Sequence, residues 1–176
     1  MKKWALAILV VLVIFMVSHV EAEEVMIPNE AIRLRVIPNS NEEKDQWIKQ
    51  QVRDNIQQEI YDLLKDVKSI EEARTLLKEN IKDFEVIVED TLKQNEIQET
   101  FQLNYGMNYF PQKVYKGVTY EEGYYESMVI TLGKGEGDNW WCVLFPPLCL
   151  LEADETQQQD EVEYKFFVKE LIDKFF

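Results

Sequence analysis

Histidine and cysteine are almost absent from this chain of 176 residues, which has one histidine and two cysteines. His19 lies in the N-terminal segment that cleavage of an export signal removes, so the mature chain has no imidazole to act as a general base or a metal ligand. The Asp-Thr-Gly or Asp-Ser-Gly signature of an aspartic protease does not occur either. We therefore set aside serine-histidine and cysteine-histidine hydrolysis, and we expect no catalytic residue, no cofactor and no metal.

Basic residues are also scarce, since 19 lysines and arginines face 33 aspartates and glutamates and the formal net charge is -14. A polyanion of this kind does not bind nucleic acid or anionic lipid through bulk charge. Acidic pairs such as Glu42-Glu43, Glu71-Glu72 and Glu121-Glu122 are typical of solvated helix and turn surfaces. A hydrolase of the cell envelope that uses paired carboxylates stays open as an alternative.

The first 22 residues have the pattern of a secretory signal peptide. Lys2 and Lys3 precede an apolar run over residues 4–17, and small residues lead up to a cut after Ala22. The run is short for a membrane-spanning helix. We predict a cleaved signal peptide over residues 1–22, and an uncleaved anchor is the alternative.

The mature chain begins with a strand pattern and continues with two helical ones. Ile32, Leu34 and Val36 alternate with Arg33 and Arg35, which is the period of a half-buried strand. Two capping boxes, Ser40 with Glu43 and Ser69 with Glu72, introduce predicted helices over residues 41–67 and about 70–93. The apolar stripes of these helices are formed by Ile48, Val52, Ile56, Ile60 and Leu64, and by Ile70, Ala73, Leu77, Ile81, Phe84 and Val88.

Three strand patterns follow, at residues 101–105, 124–132 and 140–145, with "GKGEGDN" (133–139) predicted as a hairpin connection rather than a phosphate loop. This order predicts an α+β domain over residues 23–151, in which two long helices cover one face of a small, largely antiparallel sheet. Residues 152–163 read as an acidic linker. Residues 164–176 read as an amphipathic helix, either on a membrane or partner surface or on the domain's own core.

The stretch "GDNWWCVLFPPLCLL" (137–151) is the most apolar part of the mature chain. In an extended strand, Trp140 and Trp141 point to opposite faces, and a sheet with helices on one face alone cannot hide both. We predict that one face is covered by the C-terminal segment or left as a binding surface, with Trp141, Val143 and Phe145 as the outward set. The predicted partner-binding residues are Asp138, Asn139, Trp140, Trp141, Val143, Phe145, Pro146 and Pro147.

Cys142 and Cys149 are seven positions apart, and Pro146-Pro147 between them can turn the chain back on itself. In an exported protein this pair invites a disulfide. Free cysteines that pack as small apolar residues are the alternative.

"IPNEAIRLRVIPNSNEEKDQWIKQQVRDNI" and "GYYESMVITLGKGEGDNWWCVLFPPLCLL" closely resemble the stage II sporulation protein R family of endospore-forming bacteria, over residues 27–151. The resemblance implies a non-catalytic signalling protein that is exported from the forespore into the space between the forespore and mother-cell membranes. There it would activate a membrane-embedded aspartic protease of the mother cell, which processes a precursor sigma factor. A structural protein attached to a membrane surface through residues 165–176 is a further alternative.

Overall fold

The computed structural model describes residues 30–115 and 118–146. The signal peptide predicted for residues 1–22, the linker at 152–163 and the helix at 164–176 lie outside the described residues. No helix in the described part is long and apolar enough to cross a membrane. The elements are β1 (Ile32–Ile37), α1 (Glu43–Leu64), α2 (Ile70–Glu79), α3 (Ile81–Gln94), β2 (Phe101–Phe110), β3 (Lys113–Tyr115), β4 (Val118–Tyr120), β5 (Gly123–Leu132) and β6 (Trp140–Phe145).

Four strands form one sheet in the order β2-β5-β1-β6, and β3 and β4 form a separate hairpin. The predicted α+β class is confirmed, but the sheet is mixed rather than largely antiparallel. β1 pairs in parallel with β5 and antiparallel with β6, while β2 and β5 are antiparallel. The parallel pair arises because the chain crosses from β1 through the helices before it returns to the sheet. The β3–β4 hairpin was not predicted.

The main core lies between the helices and one face of the sheet. All five members of the predicted α1 stripe are buried there, with Ile32, Leu34 and Val36 of β1 below them. The second predicted helix is two helices, because the chain breaks at Asn80, whose side-chain amide donates to the carbonyl of Leu76. Its hydrophobic face nevertheless continues across the break through Leu77 and Phe84.

The two predicted capping boxes have different outcomes. Ser69 caps α2 as expected, and its hydroxyl accepts a hydrogen bond from the backbone N–H of Glu72. The box at Ser40 and Glu43 is wrong, because α1 begins at Glu43 after an N-cap residue with no side-chain cap bond. Ser40 instead donates to the carboxylate of Asp45, which is buried.

The segment over residues 133–139 is not a hairpin connection, because β1 lies between β5 and β6 in the sheet. Gly133 and Gly135 both have positive φ, at 54° and 68°, a backbone conformation that glycine adopts without steric cost. The segment packs on the β1–α1 connection, where the backbone N–H of Gly137 donates to Pro38. A Cβ atom at Gly137 would collide with the backbone carbonyl of Ser40. Residues 133–139 therefore link the β5–β6 connection to the β1–α1 connection, which is about a hundred residues earlier in the chain.

The long β2–β5 ribbon curls over the face of the sheet that the helices leave open. β2 and β6 are opposite edges of the sheet, and in a flat four-stranded sheet they are about 14 Å apart. The rings of Phe110 on β2 and Trp141 on β6 nevertheless have centroids only 5.0 Å apart. Arg35 of β1 also donates to the backbone oxygen of Tyr109, across 3.3 Å. The distal half of the ribbon thus covers the second face.

An ion pair fixes the ribbon to α2 on the helix side. Arg74 forms two-pronged hydrogen bonds of 2.8 to 3.0 Å with the carboxylate of Glu126, and the hydroxyl of Tyr105 donates to the same carboxylate at 2.9 Å. The bonds from Arg74 are the main reason that the pKa of Glu126 is lowered, although burial opposes them. The charged form of Glu126 therefore stabilises the fold.

We expect Glu126→Gln to lower the free energy of unfolding at pH 7 by about 1–3 kcal/mol, because hydrogen bonds to a charged group are lost. Since the folded pKa lies below the unfolded value of roughly 4.3, this stabilisation is present above that value and is lost as the pH falls through the folded pKa. Urea unfolding of both proteins at several pH values tests this. If the difference in unfolding free energy between the two proteins does not shrink toward pH 3, the charged form of Glu126 is not the source of the stabilisation.

Candidate protein-interaction surface

The alternation predicted for β6 is observed at its first residues. Trp140 and Cys142 pack against the main core, and Trp140 receives the guanidinium of Arg53 over its ring at 5.4 Å. Trp141 pairs with Arg35 and Val143 pairs with Arg33, so both lie on the face opposite the helices.

A bulge then changes the alternation. Arg33 pairs with Val143 but Ile32 pairs with Phe145, so Leu144 is the additional residue in β6. Leu144 and Phe145 consequently both enter the main core, where each is 1% exposed. The prediction that Phe145 points outward is therefore wrong. Pro146 is also buried, and Pro147 lies outside the described residues.

Trp141 and Val143 face a second, smaller core under the curled ribbon. This arginine–aromatic cluster consists of Arg33, Arg35, Phe110, Tyr125 and Trp141. The guanidinium of Arg33 lies 3.5 Å from the ring centroid of Tyr125, and that of Arg35 lies 5.5 Å from Phe110 and 5.8 Å from Trp141. Val143 is 6% exposed. The face predicted to be exposed or covered by the C-terminal segment is thus covered by the ribbon.

Burial dominates the electrostatics of this cluster. It lowers the pKa of Arg33 and of Arg35, because a charged guanidinium is poorly solvated there. Among the described residues neither arginine forms an ion pair with a carboxylate. The Nε of Arg33 and the Nε1 of Trp141 are buried without a hydrogen-bond partner. The ring of Tyr125 therefore takes the place of a carboxylate beside Arg33, whereas Arg35 combines the rings of Phe110 and Trp141 with a hydrogen bond to the backbone oxygen of Tyr109.

Asp138 and Asn139 connect β6 to the rest of the domain. The backbone oxygen of Asp138 accepts from the ammonium of Lys49 at 2.9 Å, and its N–H donates to Asn41 at 2.6 Å. When the amide of Asn139 is oriented to satisfy its neighbours, its oxygen accepts from Arg35 at 2.7 and 3.1 Å. These contacts give both residues a structural role, and their binding of a partner stays a prediction.

One of the two cysteines, Cys142, lies among the described residues. It is disulfide-bonded, and no cysteine of the described residues is free. Cys149 lies outside the described residues, so the bridge between the two stays a prediction.

An exposed apolar surface lies elsewhere, on the convex side of the β2–β5 ribbon. We name it the ribbon patch, and it consists of Met107, Tyr109 and Tyr124, which are 64%, 48% and 69% exposed. Tyr109 and Tyr124 are directly opposite each other in the ladder, with ring centroids 5.7 Å apart. These residues continue the face that carries Leu103 and Tyr105 beneath the helices. They are exposed because the ribbon extends beyond that cover.

Two carboxylates immediately precede β5 near the ribbon patch, and one of them, Glu122, contacts it. Glu121 and Glu122 are exposed, and the hydroxyl of Tyr109 donates to Glu122 at 2.8 Å, which raises the pKa of Tyr109. The amide of Gln112 donates to Glu121 at 3.2 Å. In the described part of the chain no lysine or arginine forms an ion pair with either carboxylate. The patch is therefore apolar at its centre and acidic at its end beyond the helices, whereas toward the helices Met107 lies opposite Glu126, which is paired with Arg74.

Sequence reasoning missed the ribbon patch although its alternation was visible. Leu103, Tyr105, Met107 and Tyr109 follow one another at every second position, but the predicted strand pattern ended at residue 105. The sequence does not say how far along a strand the covering helices extend, so the point at which this face becomes exposed could not be read from it.

The acidic pairs give no support to carboxylate catalysis. Glu42-Glu43, Glu71-Glu72 and Glu121-Glu122 are all exposed, whereas a carboxylic acid that works near neutral pH is usually shielded from water. In residues 30–115 and 118–146 no group of three or more histidine, cysteine, aspartate or glutamate residues could hold a metal ion.

Comparison with known proteins gives one family. The model of the family described as "Stage II sporulation protein R" matches residues 28–155. The chain is 38% identical over 154 residues to stage II sporulation protein R of Bacillus subtilis (strain 168). The aligned region covers 88% of this chain and 69% of the relative. No solved structure matches the chain.

The packing of the two tryptophans on opposite faces of β6 can be tested by substitution. Because Trp140 packs on the main core and Trp141 on Phe110, we expect Trp140→Ala and Trp141→Ala each to lower the free energy of unfolding by about 3 kcal/mol, the lower end for large aromatic truncations. Trp47→Ala is the control, since Trp47 is exposed on α1 and its loss should change stability little. Thermal unfolding measures all three, and an unchanged melting temperature for Trp141→Ala would contradict the packing.

Proposed function

Because the chain belongs to the stage II sporulation protein R family and so has a role in sporulation, we propose that it is a non-catalytic signal between the two compartments of the sporulating cell. In this proposal it is exported from the forespore into the space between the two membranes. It binds the outward-facing part of a membrane-embedded aspartic protease of the mother cell and activates it. The protease then processes a precursor sigma factor.

The observation that carries this proposal is the ribbon patch. Large exposed apolar groups on a rigid scaffold are typical of protein-binding surfaces, and tyrosine is a common anchor in them. Met107, Tyr109 and Tyr124 lie on a ladder of ten residue pairs between β2 and β5, so they need little ordering upon binding. A surface of this kind supports a binding protein better than an enzyme.

Activation by binding sets a requirement on affinity. A ligand shifts a two-state equilibrium only by binding one state more tightly, and a change from about 1% to about 99% active needs roughly 10⁴-fold preference, or about 5.5 kcal/mol. Anchors that contribute about 2 kcal/mol each reach this magnitude only when several act together in the active arrangement. The three residues of the ribbon patch meet this requirement if each makes its contact in that arrangement alone.

Co-expression in a non-sporulating host tests the function. The chain with its export signal, the protease and the precursor are produced together, and cleavage of the precursor is followed on immunoblots. We expect cleavage only when all three are present. Cleavage without the chain, or none with all three, would contradict the proposal.

The compartment can be tested in the same host. We expect a chain that lacks residues 1–22 to accumulate in the cytoplasm without triggering cleavage, because the binding surface is then on the wrong side of the membrane. Full cleavage with this unexported form would contradict an extracellular signal.

Substitution of single acidic residues separates an activator from a hydrolase. We expect Glu42→Gln, Glu43→Gln, Glu71→Gln and Glu72→Gln each to leave precursor cleavage unchanged, because these exposed side chains lie outside the ribbon patch. A loss of about 100-fold or more at one or two of these positions would instead indicate acid–base catalysis.

A further inference from the structure

We propose that the ribbon patch binds a segment of the protease that presents an apolar side chain flanked by lysine or arginine. This inference rests on the proposed function and specifies the chemistry of the contact. It assigns the partner-binding role to Met107, Tyr109 and Tyr124 rather than to the tryptophan stretch at residues 140–146.

The centre of the patch selects an apolar anchor. Tyr109 and Tyr124 meet edge to face, and Met107 lies diagonally across the ladder from Tyr124. Two tyrosine rings and a flexible thioether can surround an inserted aliphatic or aromatic side chain. The patch is also the largest group of exposed apolar side chains that lie side by side in the described part of the chain, since Trp47, Tyr61 and Val86 lie on helices α1 and α3 instead.

The acidic end of the patch selects a basic flank. Glu121 and Glu122 are exposed and accept hydrogen bonds from Gln112 and Tyr109. Their charges are not compensated by an ion pair from the described residues, and the chain as a whole carries -14. A cation at the edge of the patch is therefore attracted both locally and at long range.

Charge also argues against a second copy of this chain as the occupant. Two copies that met through the same patch would be related by a two-fold axis, so each surface would face itself. Glu121 and Glu122 of both copies would then approach one another, between molecules that each carry -14. An anionic lipid surface is disfavoured for the same reason.

Site-specific photocrosslinking tests the occupant. In the co-expression host, Tyr124 is replaced by p-benzoyl-L-phenylalanine in the full chain, and Tyr61 is replaced in a matched control. Tyr61 is an exposed tyrosine on α1, 44% exposed and outside the patch. We expect a crosslink to the protease from position 124 and none from position 61, with the crosslinked peptide containing an apolar residue next to lysine or arginine.

Crosslinks to other targets overturn the inference. A crosslink from position 124 to a second copy of the chain would assign the patch to self-association. A crosslink to residues 164–176 of the same chain would show that the patch is covered from within, and crosslinks to lipid alone would indicate a membrane contact. A protease peptide without a basic residue near the crosslink would overturn the charge part of the inference.

Charge reversal gives an independent test of the acidic end. We expect the double variant Glu121→Lys, Glu122→Lys to reduce precursor cleavage by about tenfold or more, because opposed charges replace attractive ones. Reversal of the basic residue in the crosslinked protease segment should restore cleavage. The variant Glu71→Lys, Glu72→Lys on α2 is the matched control and should be close to wild type.

The outcomes distinguish this inference from the proposed function. The wild-type chain and the Tyr61→Ser control are expected to trigger cleavage. If Tyr124→Ser triggers cleavage equally well, the proposed function stands and the ribbon patch is not the contact. If the wild-type chain triggers no cleavage, the proposed function itself fails. Equal melting temperatures of the three proteins are expected, since both tyrosines are exposed, and they exclude misfolding as the cause of a loss.

Discussion

The second face of the sheet has to be covered, and this chain covers it with its own strands. The helices protect only one side of the four-stranded sheet, and β1 carries Arg33 and Arg35 on the other. The contact between Phe110 and Trp141 closes the sheet over these arginines. That closure requires a long, bent β2–β5 ribbon, and the bend in turn presents the ribbon patch on its convex side. The inner cluster and the outer surface are thus two faces of one ribbon.

The two arginines of β1, one buried and one half-buried, show why the closure uses aromatic rings. A carboxylate beside Arg33 would also have to be desolvated, and a buried ion pair often costs as much as it returns. Tyr125 and Phe110 give the guanidinium groups a favourable electrostatic partner and at the same time bury apolar area. In a chain that has an excess of acidic residues, these two arginines are kept away from them. The alternation of arginine with aliphatic residues in β1 therefore reflects two different cores.

Local patterns were sufficient for most of the elements and insufficient for their arrangement. The apolar stripe of α1, the cap at Ser69 and the positions of β2, β5 and β6 follow from periodicity and side-chain chemistry that act over a few residues. The break at Asn80 was missed because the hydrophobic face continues through it. The parallel pairing of β1 with β5 and the bulge at Leu144 depend on partners about a hundred residues away in the chain, and no local signal specifies them. The ribbon patch was missed for the same reason, since exposure depends on where other elements end.

The central position of β1 also determines the order in which the fold can be completed. β1 is the first element of the described chain, yet both of its neighbours in the sheet, β5 and β6, come after residue 122. The loop that closes each pairing is therefore nearly as long as the domain, and contacts of such high sequence separation form slowly. A chain that emerges from a membrane pore in sequence order, as the proposed function requires, cannot complete its sheet until β6 has crossed. If the chain is exported as proposed, this topology delays folding until the whole domain has crossed the membrane.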